Sequence, residues 1–305
     1  MGLAKKYLLN MNILLTGASG FLGGSIIKEL SSENSLFSLS RNSGDYQFSL
    51  ENEIPNFNDF FDLVIHAAGK AHFVPKTEDE KKQFYDVNVV GIQNLLKGLE
   101  VSGVPKQFVF ISSVSVYGQE QGLNITEDCT LVAKDAYGLS KIEAEGLVQE
   151  WCKQHNVVCT ILRLPLLVGT NPPGNLGAMI KGIARGYYFN IGGGKSKKSM
   201  VLAEDVAAFI PKIANIGGTY NLTDGYHPSF FELSCVIAKQ LGKSVPMNMP
   251  LFVANGIGFL GNFLGNNAPI NSLKLKKITA DLTFDDSKAR SAGWKPRRVL
   301  DWFSI

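Results

Sequence analysis

The stretch Met11-Asn12-Ile13-Leu14-Leu15-Thr16-Gly17-Ala18-Ser19-Gly20-Phe21-Leu22-Gly23 decides the fold. Met11 to Leu15 is a short apolar run, the pattern of a strand buried on both faces, and it stops at Thr16-Gly17. From Phe21 to Leu30 the apolar residues Phe21, Leu22, Ile26, Ile27 and Leu30 gather on one side of a helix. The turn between them reads G-x-x-G-x-x-G, a departure from the G-x-G-x-x-G spacing. Gly17 permits the turn, Gly20 lets backbone approach a pyrophosphate, and Gly23 allows close helix–sheet packing. The first amides of the helix then face the phosphates. Gly17, Ser19, Gly20, Phe21, Leu22 and Gly23 are therefore candidate cofactor contacts.

The same alternation continues outward. Strands are expected at Leu36–Leu39, Leu63–Ile65, Gln107–Ser112 and Val157–Leu162. Helices are expected over Glu78–Glu100 and Tyr137–His155, the first with Phe84, Val87, Val90, Leu95, Leu96 and Leu99 facing inward. Such a series predicts an α/β fold, a doubly wound parallel sheet of Rossmann type covered on both faces. After Leu166 the regularity breaks, with a Pro172-Pro173-Gly174 turn, a Gly192-Gly193-Gly194 loop and helices near 175–185, 204–214 and 230–241. The expected division is a dinucleotide-binding unit over 11–168 with return segments near 200–225. A smaller C-terminal substrate-binding cap takes 169–199 and 226–305.

Composition narrows the class. The 305 residues are 45% hydrophobic and 19% charged, ample for a core and against disorder. A net charge of +3 with dispersed Lys and Arg argues against a nucleic-acid partner. Cys129, Cys152, Cys159 and Cys235 lack C-x-x-C spacing and nearby histidines, so no metal site is expected, and they read as buried free thiols of a reducing cytoplasm. Lys5 and Lys6 before a few leucines mimic a signal peptide within Met1–Asn10, but no small-residue cleavage site follows. Pro250–Leu264 is apolar, yet broken by Asn255, Gly256, Gly258, Gly261 and Asn262, and is too short for a membrane span. A core or lid helix is the favoured reading, with a membrane-surface helix as the alternative. The chain reads as soluble and cytoplasmic.

The second strand ends Ser38-Leu39-Ser40-Arg41-Asn42, with no carboxylate until Asp45. NAD-binding units place an acidic residue near this point to accept from the ribose hydroxyls. Arg41 offers a guanidinium and Ser40 a hydroxyl to a 2′-phosphate instead, which favours NADP(H), with NAD(H) as the alternative. Further on, Tyr137-Gly138-Leu139-Ser140-Lys141 puts a phenol and an ammonium one helical turn apart. The ammonium is expected to lower the phenol's pKa, so that Tyr137 exchanges a proton with a substrate oxygen. Phe110-Ile111-Ser112-Ser113 closes a strand and brings a hydroxyl to the same place.

Together with Val64-Ile-His-Ala-Ala-Gly69, Asn88 in Asp-Val-Asn-Val, and Phe110-Ile-Ser-Ser-Val-Ser-Val-Tyr-Gly118, these motifs resemble the extended short-chain dehydrogenase/reductase superfamily, in its nucleotide-sugar epimerase/dehydratase/reductase group. The resemblance runs from Met11 to Trp302. It implies that Ser113, not Ser112, is catalytic, that Tyr137 is the acid/base, and that Lys141 is its modulator and ribose ligand. Asn88 supports the site, Ala67, Ala68 and Gly69 line the cofactor, and Leu164 in Arg163-Leu164-Pro165 lies at the strand end beside the nicotinamide. An adenine-contacting Asp-Leu pair corresponds to Ser49-Leu50 here, with Ser in the acidic place. Asn175 and Lys198 fall where relatives hold the substrate diphosphate, and Lys195 and Lys197 add steering charge. Asp205 and Asp286 recur in such chains and read as helix caps. A homodimer through the two long helices is a further implication.

The resemblance also selects among reactions. Family dehydratases carry Asp-Glu directly after the catalytic hydroxyl residue, but here Val114 and Ser115 follow Ser113 and cannot act as that acid and base. Two enzyme readings remain. A 4-epimerase keeps NAD and returns the hydride to the sugar, whereas a 4-keto reductase delivers it once, normally from NADPH. Ser40-Arg41 tilts the reading to the reductase. So does a looser resemblance, in 162–169, 174–176 and 199–202, to bacterial enzymes that reduce UDP-linked 4-keto-6-deoxy-N-acetylhexosamines in surface polysaccharide synthesis. A non-catalytic scaffold or redox sensor is disfavoured by the presence of Ser113, Tyr137 and Lys141.

Overall fold

The structure, a computed structural model, describes residues 10–71, 75–262 and 271–305. The expectation for the first nine residues, and the last two residues of the Pro250–Leu264 segment, lie outside the described residues.

The chain runs β1 (Asn12–Thr16), α1 (Phe21–Leu30), β2 (Ser35–Ser40), β3 (Tyr46–Gln47), β4 (Leu63–His66), α2 (Glu78–Tyr85), α3 (Gly91–Ser102), β5 (Gln107–Ser113), β6 (Gly122–Ile125) and α4 (Ala136–Gln154). It continues with β7 (Val158–Leu164), β8 (Leu166–Val168), α5 (Gly174–Ala184), β9 (Asn190–Ile191), β10 (Met200–Leu202), α6 (Ala203–Ile213), β11 (Gly218–Asn221) and α7 (Phe230–Gln240). Then come β12 (Asn248–Met249), α8 (Leu251–Asn262), α9 (Ser272–Thr279), β13 (Leu282–Phe284), α10 (Ser287–Ser291) and α11 (Val299–Trp302). Seven strands form one sheet in the order β11-β7-β5-β4-β1-β2-β3, with every pairing parallel.

Alternation along each strand builds two cores. Ile13, Leu15, Ile65, Val109 and Leu162 face one side, where Leu22, Ile26 and Leu30 of α1 and Val206, Ala207 and Ile210 of α6 cover them. Leu14, Val64, Phe108, Phe110 and Ile161 face the other, against Ile92, Leu95 and Leu99 of α3 and Ala144, Val148 and Trp151 of α4. Burial on both faces explains why the strands read as continuous apolar runs. A third cluster joins Val168, Leu176, Met179, Met200 and Leu202 to Leu233, Ile237, Val299 and Phe303.

Three expectations are corrected. The helix expected over Glu78–Glu100 is interrupted by a π turn at Asp86–Val90, where the Gly91 amide bonds back to the Asp86 carbonyl. The extra residue in that turn rotates the inward face, so Asn88 and Val89 are buried while Val87 and Val90 are half-exposed. Among the cysteines only Cys152 is buried, and the other three are partly exposed. The apolar segment after Pro250 is not a core helix: α8 buries only Ala254, Gly258 and Gly261 and turns its large side chains outward.

Candidate active site

The site gathers where β1, β4 and β5 end and α1 and α4 begin. Gly17 has φ +75, a left-handed conformation, and a Cβ there would lie 2.6 Å from the Ala68 amide nitrogen. A Cβ on Gly23 would lie 2.2 Å from the Gly17 carbonyl oxygen. Both glycines thus lock the β1–α1 turn against the Ala67-Ala68 backbone and against α1. Gly20 is the N-cap of α1 and supplies no side-chain cap, so among the described residues no capping side chain closes the amide-rich end of the helix. An open ten-residue helix N-terminus behind a glycine turn fits a dinucleotide diphosphate. His66 is buried beneath this turn, with Nδ1 2.9 Å from Thr16 Oγ1 and its ring stacked on Phe110. Burial, with a smaller effect from the Lys141 charge, pulls its pKa down to about 3, so it is a neutral core histidine.

At the far end of the turn, Arg41 follows β2 with its side chain 69% exposed and makes a long 3.5 Å contact with Glu51. Asp45, the first carboxylate after the strand, is held by the Ser38 amide and hydroxyl, both at 2.8 Å. Those bonds, the amide first, keep it below its usual pKa and bind it to its own strand. Ser40 is tied to Ser43 through the Ser43 carbonyl. Ser49 is likewise held in its own turn, where its amide donates to Glu53 at 2.8 Å and its hydroxyl accepts from Asn52 at 2.8 Å.

Asn88, turned inward by the π turn, clamps the loop after β4. Its Oδ1 accepts from the Lys70 amide at 2.8 Å, while Nδ2 donates to the Lys70 carbonyl at 3.2 Å and to Ser140 Oγ at 2.9 Å. This ties Gly69 to α4. A Cβ on Gly69 would sit 3.1 Å from Asn88 Oδ1 and 3.3 Å from Lys141 Nζ, so glycine leaves room for both side chains.

Asp135 caps α4 by accepting from the Gly138 amide at 3.0 Å, which fixes the start of the helix directly before Tyr137. Tyr137, Lys141 and Glu145 then follow at four-residue steps along one face. Ser112 and Ser113 end β5 beneath them, pointing to opposite sides as neighbours on a strand do. Ser112 Oγ donates to Glu145 at 2.5 Å and is fully engaged in the interior. Ser113 is half-buried, accepts from the Ser115 amide at 3.2 Å and donates to Ser115 Oγ at 3.1 Å.

The expected electrostatics need correction. Burial holds the Tyr137 phenol above its usual pKa, the Ser113 hydroxyl opposes that rise, and Asp135 adds to it. Lys141 does not lower it here, because its ammonium donates to the Ile111 carbonyl at 3.0 Å and lies 4.6 Å from the Phe110 ring centre. Burial instead pulls Lys141 itself down to about 8, against the opposing charge of Glu145.

Leu164 ends β7 and is buried. Asn175 is exposed in the first turn of α5, whose N-cap, Pro173, makes no side-chain cap. Lys198 is partly buried, with Nζ 2.9 Å from the Lys277 carbonyl, and burial lowers its pKa. Asp286 stands at the N-cap of α10 without a side-chain cap bond, and Asp205 lies inside the first turn of α6. Asp205 binds the Arg297 amide and guanidinium, and Asp286 binds Thr223 and Arg290.

The sequence reading missed Glu145. Its carboxylate pairs with Arg163 at 2.7 Å, and Arg163 continues to the Tyr117 hydroxyl at 3.0 Å and on to Asn221. A second acidic residue on the Tyr137–Lys141 face was the available signal.

The model of the NAD dependent epimerase/dehydratase family matches residues 13–222. The chain belongs to that family. Within it, the chain is 29% identical over 94% of its length to the N-acetyl-alpha-D-glucosaminyl-diphospho-ditrans,octacis-undecaprenol 4-epimerase of Escherichia coli O157:H7, covering 91% of that protein. It is 28% identical over 95% of its length to a UDP-glucose 4-epimerase of Vibrio cholerae, covering 92% of it. The fold matches RMD from Pseudomonas aeruginosa, solved with NADPH, at TM-score 0.73 and 21% identity over 95% of each chain. Family membership makes the chain an enzyme of the extended short-chain dehydrogenase/reductase type.

Proposed function

We propose that the protein is an NADPH-dependent reductase of the C4 ketone of a 4-keto-6-deoxy sugar, with an N-acetyl group, carried on a diphosphate, in the UDP-linked form first of all. The observation that carries this reading is Arg41: a solvent-facing guanidinium stands at the ribose end of the turn, where the neighbouring carboxylate Asp45 is already bound to Ser38. A guanidinium there recognises a 2′-phosphate, and a phosphorylated, exchangeable cofactor suits single delivery of hydride.

The residues present fit the cofactor. Gly17, Ser19, Gly20, Phe21, Leu22 and Gly23 would hold the diphosphate, Ser40 and Arg41 the phosphorylated ribose, and Ala67, Ala68, Gly69, Asn88 and Leu164 the remaining wall. When bound, the nicotinamide supplies the hydride that becomes the C4 hydrogen. Ser113 and Tyr137 hydrogen-bond the C4 carbonyl oxygen. As the carbon–oxygen π bond breaks, Tyr137 gives its proton to that oxygen, and the Lys141 ammonium, turning from the Ile111 carbonyl, steadies the phenolate left behind. Asn175 and Lys198 hold the diphosphate of the substrate.

A second reading, 4-epimerisation, is supported by the two 4-epimerases that the chain matches over nine-tenths of their length. The two separate in one assay of nicotinamide absorbance with UDP-2-acetamido-2,6-dideoxy-4-hexulose. Stoichiometric NADPH oxidation, with NADH much slower, and loss of that preference in Arg41→Ala are expected. No net oxidation, with UDP-GlcNAc and UDP-GalNAc interconverted in the presence of NAD, would replace the reductase by the epimerase.

A further inference from the structure

In water a helix buries its large apolar residues and shows its small or polar ones. Helix α8 does the reverse. Ala254, Gly258 and Gly261 form its buried side, and Gly258 packs against the Asn271–Ser272 backbone at the start of α9, where a Cβ would be in ordinary contact at 3.5 Å. Phe252 is 77% exposed, Leu260 67% and Phe259 63%, and Leu251, Val253 and Ile257 are exposed beside them. Leu273 and Ile278 of α9 and Met247 before α8 extend the apolar surface. Small residues at the helix–helix contact with large apolar ones outside is the arrangement that suits a lipid environment.

Charge selects the kind of surface. From Leu233 to Ala280 the chain carries five lysines, at 239, 243, 274, 276 and 277, and no Asp or Glu. Lys243, Lys276 and Lys277 are exposed, with Lys277 pairing Glu120 at 3.3 Å. Among the described residues no helix is long and apolar enough to cross a membrane. An apolar face whose own helices carry lysines and no carboxylate, the nearest being Glu120 on Lys277, complements an anionic lipid headgroup layer over apolar chains. The patch is also joined to the proposed site, because α9 ends at the Lys277 carbonyl that holds Lys198 and at the Ile278 carbonyl that holds Ser196.

We propose that α8 and α9 form a monotopic docking surface for an anionic phospholipid bilayer, with the face of α8 bearing Phe252, Phe259 and Leu260 set into the headgroup–acyl boundary. The proposal does not depend on which sugar reaction the site performs. It is tested by co-sedimentation of the full chain with vesicles of phosphatidylethanolamine and phosphatidylglycerol, beside vesicles of phosphatidylcholine alone. The wild type should pellet with the anionic vesicles and much less with the neutral ones. F252E/F259E/L260E, whose side chains are exposed, should keep its thermal unfolding midpoint and lose binding. K243Q/K276Q should bind about thirtyfold more weakly and with a shallower salt dependence. Wild type that stays in the supernatant, or a triple variant that pellets as well as wild type, would overturn the proposal. So would a wild-type dimer that the triple variant converts to monomer with no vesicle binding by either form, since the face would then be covered by a second copy.

Discussion

Glu145 and Arg163 form a two-pronged ion pair inside the protein, with N–O distances down to 2.7 Å and side chains only 3% and 7% exposed. The pair joins α4, which carries Tyr137 and Lys141, to β7. Removing one partner leaves a buried charge without its counterion. Glu145→Leu or Arg163→Met should therefore lower stability by about 3–5 kcal/mol. The paired change Glu145→Leu with Arg163→Met should lower it by less than the sum of the two. Urea denaturation of the four proteins checks this, and additive losses would show that the pair is not a unit.

Acid should destabilise the protein through His66. Its folded pKa of about 3 lies below the usual 6.5, so between those values the unfolded chain binds more protons. Stability is fully present above pH 6.5 and falls as pH drops toward 3, by up to about 1.4 kcal/mol per pH unit from this residue. In His66→Gln the fall from pH 6 to pH 4 should be shallower than in wild type. Unfolding midpoints in urea across that range give the slope, and parallel curves would remove His66 from the account.

The sheet was readable because a strand buried on both faces leaves an unbroken apolar run, and β1, β4, β5 and β7 each leave one. The glycine turn was readable because Gly17 and Gly23 answer backbone contacts that any side chain would violate. Other features escaped for physical reasons. The π turn at Asp86–Val90 adds a residue that no apolar spacing announces, and the direction of Lys141 is set by the Ile111 carbonyl of another element. The outward face of α8 escaped because an apolar segment reads alike whether protein or lipid covers it.

Gly20 and Gly23 of the turn should separate ligand approach from packing. A Cβ on Gly23 meets backbone at 2.2 Å, whereas one on Gly20 has a single neighbour within 4 Å, at 3.1 Å. Gly23→Ala should thus lower the thermal midpoint by several degrees, a loss on the order of 2 kcal/mol or more from overpacking against rigid backbone. Gly20→Ala should leave the midpoint nearly unchanged and weaken nucleotide binding. Calorimetric unfolding beside a nucleotide titration distinguishes the two, and equal midpoints would contradict the packing reading of Gly23.

The proton chemistry should carry the signature of Lys141 rather than of Tyr137. Burial keeps the Tyr137 phenol protonated through neutral pH, the state a proton donor needs, while Lys141 loses its charge near pH 8. For ketone reduction, kcat/KM should be flat up to about pH 8 and decline above it as the ammonium that steadies the phenolate is lost. Lys141→Arg, permanently charged, should move that decline to higher pH even where the larger side chain lowers the rate. Tyr137→Phe should fall by about a hundredfold to ten-thousandfold with nucleotide affinity within a few-fold of wild type. A pH profile measured for wild type and Lys141→Arg decides the assignment. A decline in both that begins only above pH 10 would give the alkaline limb to Tyr137 itself and leave Lys141 the role of holding β5 through the Ile111 carbonyl.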